Sequence, residues 1–173
     1  MNEAGADHLV LVGMMGVGKS TVGRTIATEL DRPLHDSDEM IERRTGRTVR
    51  EIWMTDGEPA FRALETEVLV ESLASSEPSV IAAAGGVVLS EANRDALRGP
   101  EAQVVWLQAD VDVLLERVRR GGHRPLLDDD PEAALRAMYE QRAPLYQEVA
   151  DAIVSVDNRS INDVARAVLR CCG

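Results

Sequence analysis

Aromatic rings are scarce in this sequence, with one Phe, two Trp and two Tyr among 173 residues. That is too few for the stacked platforms that hold single-stranded nucleic acids, and because 45% of the chain is hydrophobic all the same, the core has to be aliphatic. Positive charge is also short. Nineteen Lys and Arg stand against 30 Asp and Glu, a net of −11, and such a field repels phosphate backbones and anionic membrane surfaces. Nucleic acid and membrane are therefore excluded as partners. No hydrophobic run is long. The longest, residues 80–89, includes two glycines and reaches about half of what a bilayer-crossing helix needs.

Cysteine is limited to the adjacent pair Cys171 and Cys172, which can form neither a loop-closing disulfide nor a CxxC metal site. The first eight residues hold Glu3 and Asp7 but no Lys or Arg, so they lack the n-region of a signal peptide. Both features fit a reducing interior, and a cytoplasmic protein is expected. Lysine is as rare as phenylalanine: Lys19 is the only one, and the other 18 basic residues are arginine.

With roughly 150 residues to a typical domain, residues 1–173 make a single domain, and a monomer is expected. A chain of this length buries about 70% of its unfolded surface, enough for a core without disulfide or metal staples. Short aliphatic runs alternate with longer amphipathic stretches, the pattern of βαβ units. Strands are expected at residues 8–12, at a run ending near Asp36, and at 79–83, 103–107 and 152–156. Helices are expected over 20–30 and 39–44, and one starts at the capping-box spacing Thr48-Val-Arg-Glu51. Another presents Phe61, Leu64, Val68 and Leu69 on one face. Two more cover 111–120 and 131–141, with Pro144 ending the second. The fold class is α/β, a five-stranded parallel sheet flanked by helices. In such sheets ligands bind beyond the carboxyl ends of the strands, which directs attention to residues 13–20, 36–38 and 84–86.

The first of these, Gly13-Met-Met-Gly-Val-Gly-Lys-Ser20, is G-x-x-x-x-G-K-S between a strand and a helix, the setting of a phosphate-binding loop. Its glycines let successive N–H groups point inward at a helix N-terminus, Lys19 reaches the β/γ-phosphates, and Ser20 is placed to ligate Mg²⁺. Lysine is the compact point charge which that position uses, and arginine is no substitute. A dinucleotide fingerprint would use Gly16 and Gly18 with Asp38 twenty positions on, but it fails at Thr21, where its third glycine belongs.

The second segment, Asp36-Ser-Asp38, offers two carboxylates beside that loop if its strand neighbours the first. Hard oxygens suit Mg²⁺, and the second carboxylate could accept a hydrogen bond from an acceptor hydroxyl, although capping of the next helix is an alternative reading. Ala84-Gly85-Gly86 permits close approach of a ligand to the backbone. Gly121-Gly122-His123-Arg124-Pro125 reads as a mobile lid with hinge glycines, over about 119–130, from which Arg124 could reach a transferring phosphoryl group. His123 reads as a solvated residue.

The order of these motifs resembles the shikimate kinases, small P-loop kinases that phosphorylate the 3-hydroxyl of shikimate. Besides the loop and Asp-Ser-Asp, the likeness rests on Thr55-Asp-Gly-Glu-Pro-Ala-Phe-Arg62 with Glu65, the glycine pair, Arg124-Pro-Leu-Leu127 and Arg142-Ala-Pro-Leu-Tyr146. The resemblance implies a single-domain P-loop kinase fold with Mg²⁺ as cofactor and ATP and shikimate as substrates. It implies that Asp38 binds the acceptor hydroxyl and serves as base, and that Arg62 and Arg142 grip the acceptor carboxylate. Glu65 orients an arginine and Gly85 offers backbone contact, within a substrate-binding helical region of about 37–66. Gly16, Val17, Gly18, Lys19, Ser20 and Thr21 hold ATP, with Arg124 from the lid. Arg120 and Arg159 are weaker candidates for flanking adenine. Ser20 and Asp36 hold the metal, and Trp53 either lines the acceptor pocket or packs in the core. Where this family usually has three glycines the chain has Ala84, which adds strain if the position needs a positive φ. A kinase for another carboxylated polyol, or a non-catalytic ATP-binding module, are the readings against which this one stands.

Overall fold

The computed structural model describes residues 8–121 and 129–173. Five parallel strands, β1 (His8–Val12), β2 (Leu34–Asp36), β3 (Ser79–Ala82), β4 (Ala102–Gln108) and β5 (Ala152–Ser155), form one sheet in the order β2-β3-β1-β4-β5. Every residue of β1 and β3 is buried, as expected of strands covered by helices on both faces. The helices are α1 (Lys19–Leu30), α2 (Ser37–Thr45), α3 (Val49–Asp56), α4 (Glu58–Leu73), α5 (Glu91–Leu97), α6 (Val111–Arg120), α7 (Pro131–Val149) and α8 (Ile161–Cys172). None among the described residues is long and apolar enough to cross a membrane.

Because β1 lies between β3 and β4, the chain passes from one side of β1 to the other after β3. The crevice beyond its carboxyl end is thus the switch point of the sheet. Aliphatic side chains of the strands and their covering helices make the main core. A second, smaller cluster of Ile41, Ile52, Phe61 and Val68 knits α2, α3 and α4 together. Thr48 and Glu51 close the capping box that starts α3, each side chain bonding the other's backbone N–H, so this helical corner has its own packed centre and its own caps.

The structure differs from the sequence reading at three places. β2 pairs with β3 and not with β1, so the strand adjacency on which the placing of Asp36 and Asp38 beside the loop was conditional is not met, and β3 separates Asp36 from the first strand. α7 does not end near Pro144 but continues to Val149 with the proline inside it. An interior proline costs a helix about 3 kcal/mol. Here it is offset by the burial of Leu135, Tyr146 and Val149 along one face of the helix. Finally, a 3₁₀ turn (Val87–Leu89) and α5 follow the glycine pair, and α8 follows β5, helices to which the sequence reading gave no range.

Candidate active site

The turn after β1 passes so close to β4 that a Cβ at Gly13 would lie 2.6 Å from the carbonyl oxygen of Leu107. Its φ of 149° is likewise closed to other residues. Gly18 then caps α1 without a side-chain bond, and no acidic residue occupies the first turn. The helix therefore presents its leading amides and the positive end of its dipole to an anion. Lys19 Nζ donates to the carbonyls of Gly13 (2.7 Å) and Met14 (3.0 Å), which anchors the cation at the rim of the turn. Gly16, Gly18, Lys19, Ser20 and Thr21 line a cavity of about 270 Å³, whereas Val17 points into the core.

Across the cavity floor the Ser20 hydroxyl donates to the carboxylate of Asp36. The other oxygen of Asp36 accepts the backbone N–H groups of Asp38 (3.1 Å) and Glu39 (3.2 Å), so the residue caps α2 and faces the phosphate cavity at once. β2 reaches this point although β3 intervenes because α1 packs across both β3 and β2, which brings its first turn over the end of β2. No group of three or more His, Cys, Asp or Glu gathers among the described residues. One hydroxyl and one buried carboxylate are instead the sparse oxygen set suited to Mg²⁺, an ion that keeps several waters and takes phosphate oxygens as ligands.

A second cavity of about 250 Å³ opens against α2, α3, α4 and α7, lined among others by Asp38, Trp53, Arg62, Glu65 and Arg142. Met15, Asp38, Ala84 and Gly85 line both cavities, and Asp38 is the ionisable residue of that shared wall. Arg62 Nη1 donates to both oxygens of Glu65, at 2.9 and 2.7 Å, and its guanidinium lies over the Trp53 ring, 5.3 Å from the centroid. Trp53 meets Phe61 edge-on at 5.5 Å, so it lines the cavity and packs on the satellite core together. Burial pushes the Glu65 carboxyl above its ordinary value, and the charge of Asp38 adds to that rise. The charge and hydrogen bond of Arg62, with the charge of Arg142, oppose it.

Arg142 is 4% exposed, and its Nε has no hydrogen-bond partner among the described residues. A buried guanidinium with an unmade bond on a cavity wall is arranged for an anionic ligand. Its place in mid-helix, rather than at a helix end, is what gives it this burial. Ala84 is not among the residues of positive φ, so its methyl group carries no backbone strain.

One residue of the site, Arg117, escaped the sequence reading, and for another, Gly86, the reading gave the close approach but not the group that makes it. Arg117 of α6 donates from Nη1 to the carbonyls of Gly16 (3.2 Å) and Val17 (3.1 Å), bracing the phosphate turn from outside. Gly86 lies flat beneath Arg62, where a Cβ would stand 1.9 Å from Nη1. Of the remaining candidates, Arg120 pairs with Glu116 at the surface, and Arg159 lies exposed in the turn before α8, its charge acting on Asp163. Arg124 and the greater part of the segment read as a lid lie outside the described residues.

A family model described as shikimate kinase matches residues 15–172. A curated shikimate kinase of Pseudomonas entomophila is 46% identical over 153 residues, which is 88% of each chain. One from Burkholderia lata is 43% identical over 163 residues, 94% of this chain and 88% of its own. Among solved structures, shikimate kinase from Acinetobacter baumannii in complex with shikimate superposes with a TM-score of 0.90 at 39% identity. That match covers 95% of this chain and 92% of the other.

Proposed function

The chain belongs to the shikimate kinase family and carries out ATP-dependent phosphorylation of shikimate, and we propose that its two joined cavities are the nucleotide and acceptor halves of one active site. The observation that carries this reading is the shared wall. Asp38 borders both the cavity of the phosphate loop and the cavity of Arg62 and Arg142, where a hydroxyl and a terminal phosphoryl group have to meet.

In this assignment the leading amides of α1 and Lys19 receive the β- and γ-phosphates, with Arg117 holding the turn in shape. Ser20 and Asp36 would hold Mg²⁺, which would supply neutralisation of the phosphate charge. Arg62, fixed by Glu65 and Trp53, and Arg142 take the shikimate carboxylate, for which planar guanidinium forks are matched. Asp38 accepts the proton of the 3-hydroxyl as its oxygen bonds to the γ-phosphorus and the bond from that phosphorus to the β–γ bridging oxygen breaks. Arg124, from the segment read as a lid, adds charge to the phosphoryl group. Most of the rate then comes from alignment and charge placement rather than from covalent chemistry. Ala84 is a neutral neighbour in this scheme, because it strains nothing.

A coupled ADP-release assay with shikimate against quinate, gluconate and nucleoside monophosphates tests the assignment. Release that depends on shikimate, and is weak with the others, is expected. Release indifferent to any acceptor would leave only an ATP-binding module.

Gly86→Ala is expected to raise the KM for shikimate about tenfold or more while the KM for ATP stays within twofold. The added methyl has no room beside the Arg62 guanidinium and must push it off the cavity wall, and a charge-assisted hydrogen bond contributes about 1.5–3 kcal/mol. Steady-state kinetics in both substrates check this, and an unchanged KM for shikimate would remove Arg62 from the acceptor clamp.

A further inference from the structure

The reactive parts of the acceptor cavity lie on its surface, but one polar group behind its wall has no part in the scheme above. Tyr146 is completely buried on α7, its ring tilted against Trp106 with centroids 5.7 Å apart. Its hydroxyl donates to the carbonyl of Gly85 at 2.5 Å. Tyr146 follows Arg142 by one helical turn, so the same face of α7 delivers a guanidinium to the cavity and a phenol to the loop behind it. Gly85 is confined on its other sides as well. A Cβ built there would stand 3.4 Å from the Gly13 carbonyl oxygen, 3.5 Å from the Met15 nitrogen and 3.6 Å from Arg142 Nη1. This one peptide therefore sits where the phosphate turn, the acceptor cavity and Arg142 converge.

We infer that Tyr146 is a positioning residue for shikimate, locking the Gly85–Gly86 peptide in the orientation that the acceptor cavity requires and holding it in register with Arg142. The peptide is a rigid plane, so fixing its carbonyl on the α7 side fixes the direction of the Gly86 N–H as well. Gly86 is the residue on which Arg62 rests, so the phenol sets the seat of one arginine while its own helix carries the other. Burial pushes the Tyr146 hydroxyl up to about 12, with the Arg142 charge and a hydrogen bond from the Arg142 side chain opposing the rise, so it stays protonated, donating to Gly85 and accepting from Arg142, throughout the range in which the enzyme works. Selectivity for the acceptor thus depends on a group that never touches it. The inference rests on reading this cavity as the acceptor half.

The test is Tyr146→Phe, which keeps the ring and removes the hydroxyl, with its bond to the Gly85 carbonyl and the one it accepts from Arg142, beside Arg142→Ala and Trp106→Phe. Tyr146→Phe is expected to raise the KM for shikimate about three- to tenfold, in keeping with the loss of internal hydrogen bonds to groups that remain buried, with the KM for ATP within twofold of wild type. Trp106→Phe disturbs the packing of the same ring but leaves the hydroxyl, and it is expected to leave the KM for shikimate unchanged. If Tyr146→Phe leaves that KM unchanged while Arg142→Ala raises it, the positioning role is wrong and the acceptor cavity stands. If Arg142→Ala leaves it unchanged too, the reading of the cavity itself fails. Equal rises for Tyr146→Phe and Trp106→Phe, or a parallel rise in the KM for ATP, would reduce Tyr146 to a packing residue. Thermal unfolding of each variant accompanies the kinetics, and a rise in the KM for shikimate in Tyr146→Phe that Trp106→Phe does not show at equal or greater loss of stability marks positioning rather than packing.

Discussion

Lys19→Met is expected to reduce kcat by about 10²–10³, the loss that follows removal of one preorganised donor aimed at developing charge. The ammonium donates to the Gly13 and Met14 carbonyls and lines the phosphate cavity, so it has a short path to an incoming phosphate. Methionine copies the stem and deletes the charge. The fold should survive, because the side chain is only partly buried and the turn has its own brace from Arg117. Lys19→Arg is expected to fail nearly as badly, since a planar fork cannot replace a compact charge between two phosphates. Retention of more than about a tenth of wild-type kcat in Lys19→Met would contradict the assigned role. A second readout is independent of turnover. No other side chain in the sequence is a primary amine, so an amine-reactive anionic reagent labels Lys19 alone, apart from the α-amine, and ATP should protect it. Labelling that ATP does not slow would place the nucleotide elsewhere.

How much of this site could be read from sequence depended on how far each partner lies along the chain. The phosphate turn is written in eight consecutive residues whose glycines, lysine and helix start all act on one another locally, and its position after β1 follows from the same segment. Asp36 and Asp38 were also legible as carboxylates at a strand end, but their route to the phosphate loop was not. Adjacency of β2 to β1 was the obvious route, and α1 packing over an intervening β3 is the actual one. Arg142 shows a local signal losing to a global one: Pro144 argues for a helix end, and the buried face formed by Leu135, Tyr146 and Val149 carries the helix past it. Arg117 left no local trace, and Gly86 showed only as half of a glycine pair, with nothing to say what it makes room for. Arg117 binds backbone carbonyls about a hundred positions away, and backbone atoms are the same in every sequence. The glycine at position 86 is explained by the end of the Arg62 side chain, two elements earlier, and a glycine alone does not say what lies over it. The family likeness supplied the roles of Arg62, Glu65 and Arg142, which spacing could not.

Asp38→Asn separates two ways in which that carboxylate can act. As a proton acceptor it is expected to contribute about 10²–10⁴ to kcat, and an amide of the same shape keeps a hydrogen-bonding oxygen but cannot take the proton. The α2 cap survives the change, since Asp36 bonds the backbone N–H of residue 38 and not its side chain. Loss of a negative charge from the first turn costs the helix only about 0.3–1 kcal/mol. Binding should move the other way. The Asp38 charge acts on buried Glu65 and favours its neutral form, so it is felt across the acceptor cavity, and removing it lowers the repulsion met by an anionic acid. The expected signature is therefore a kcat lower by about two orders of magnitude or more, with a KM for shikimate unchanged or reduced. A Michaelis constant that rises while kcat holds would mean that Asp38 only binds the hydroxyl. Loose phosphoryl-transfer transition states, in which the attacking oxygen keeps its proton until late, give that second result its physical basis. The two outcomes thus distinguish a site that removes a proton from one that only aims an alcohol at a phosphoryl group already held by Lys19 and the amides of α1.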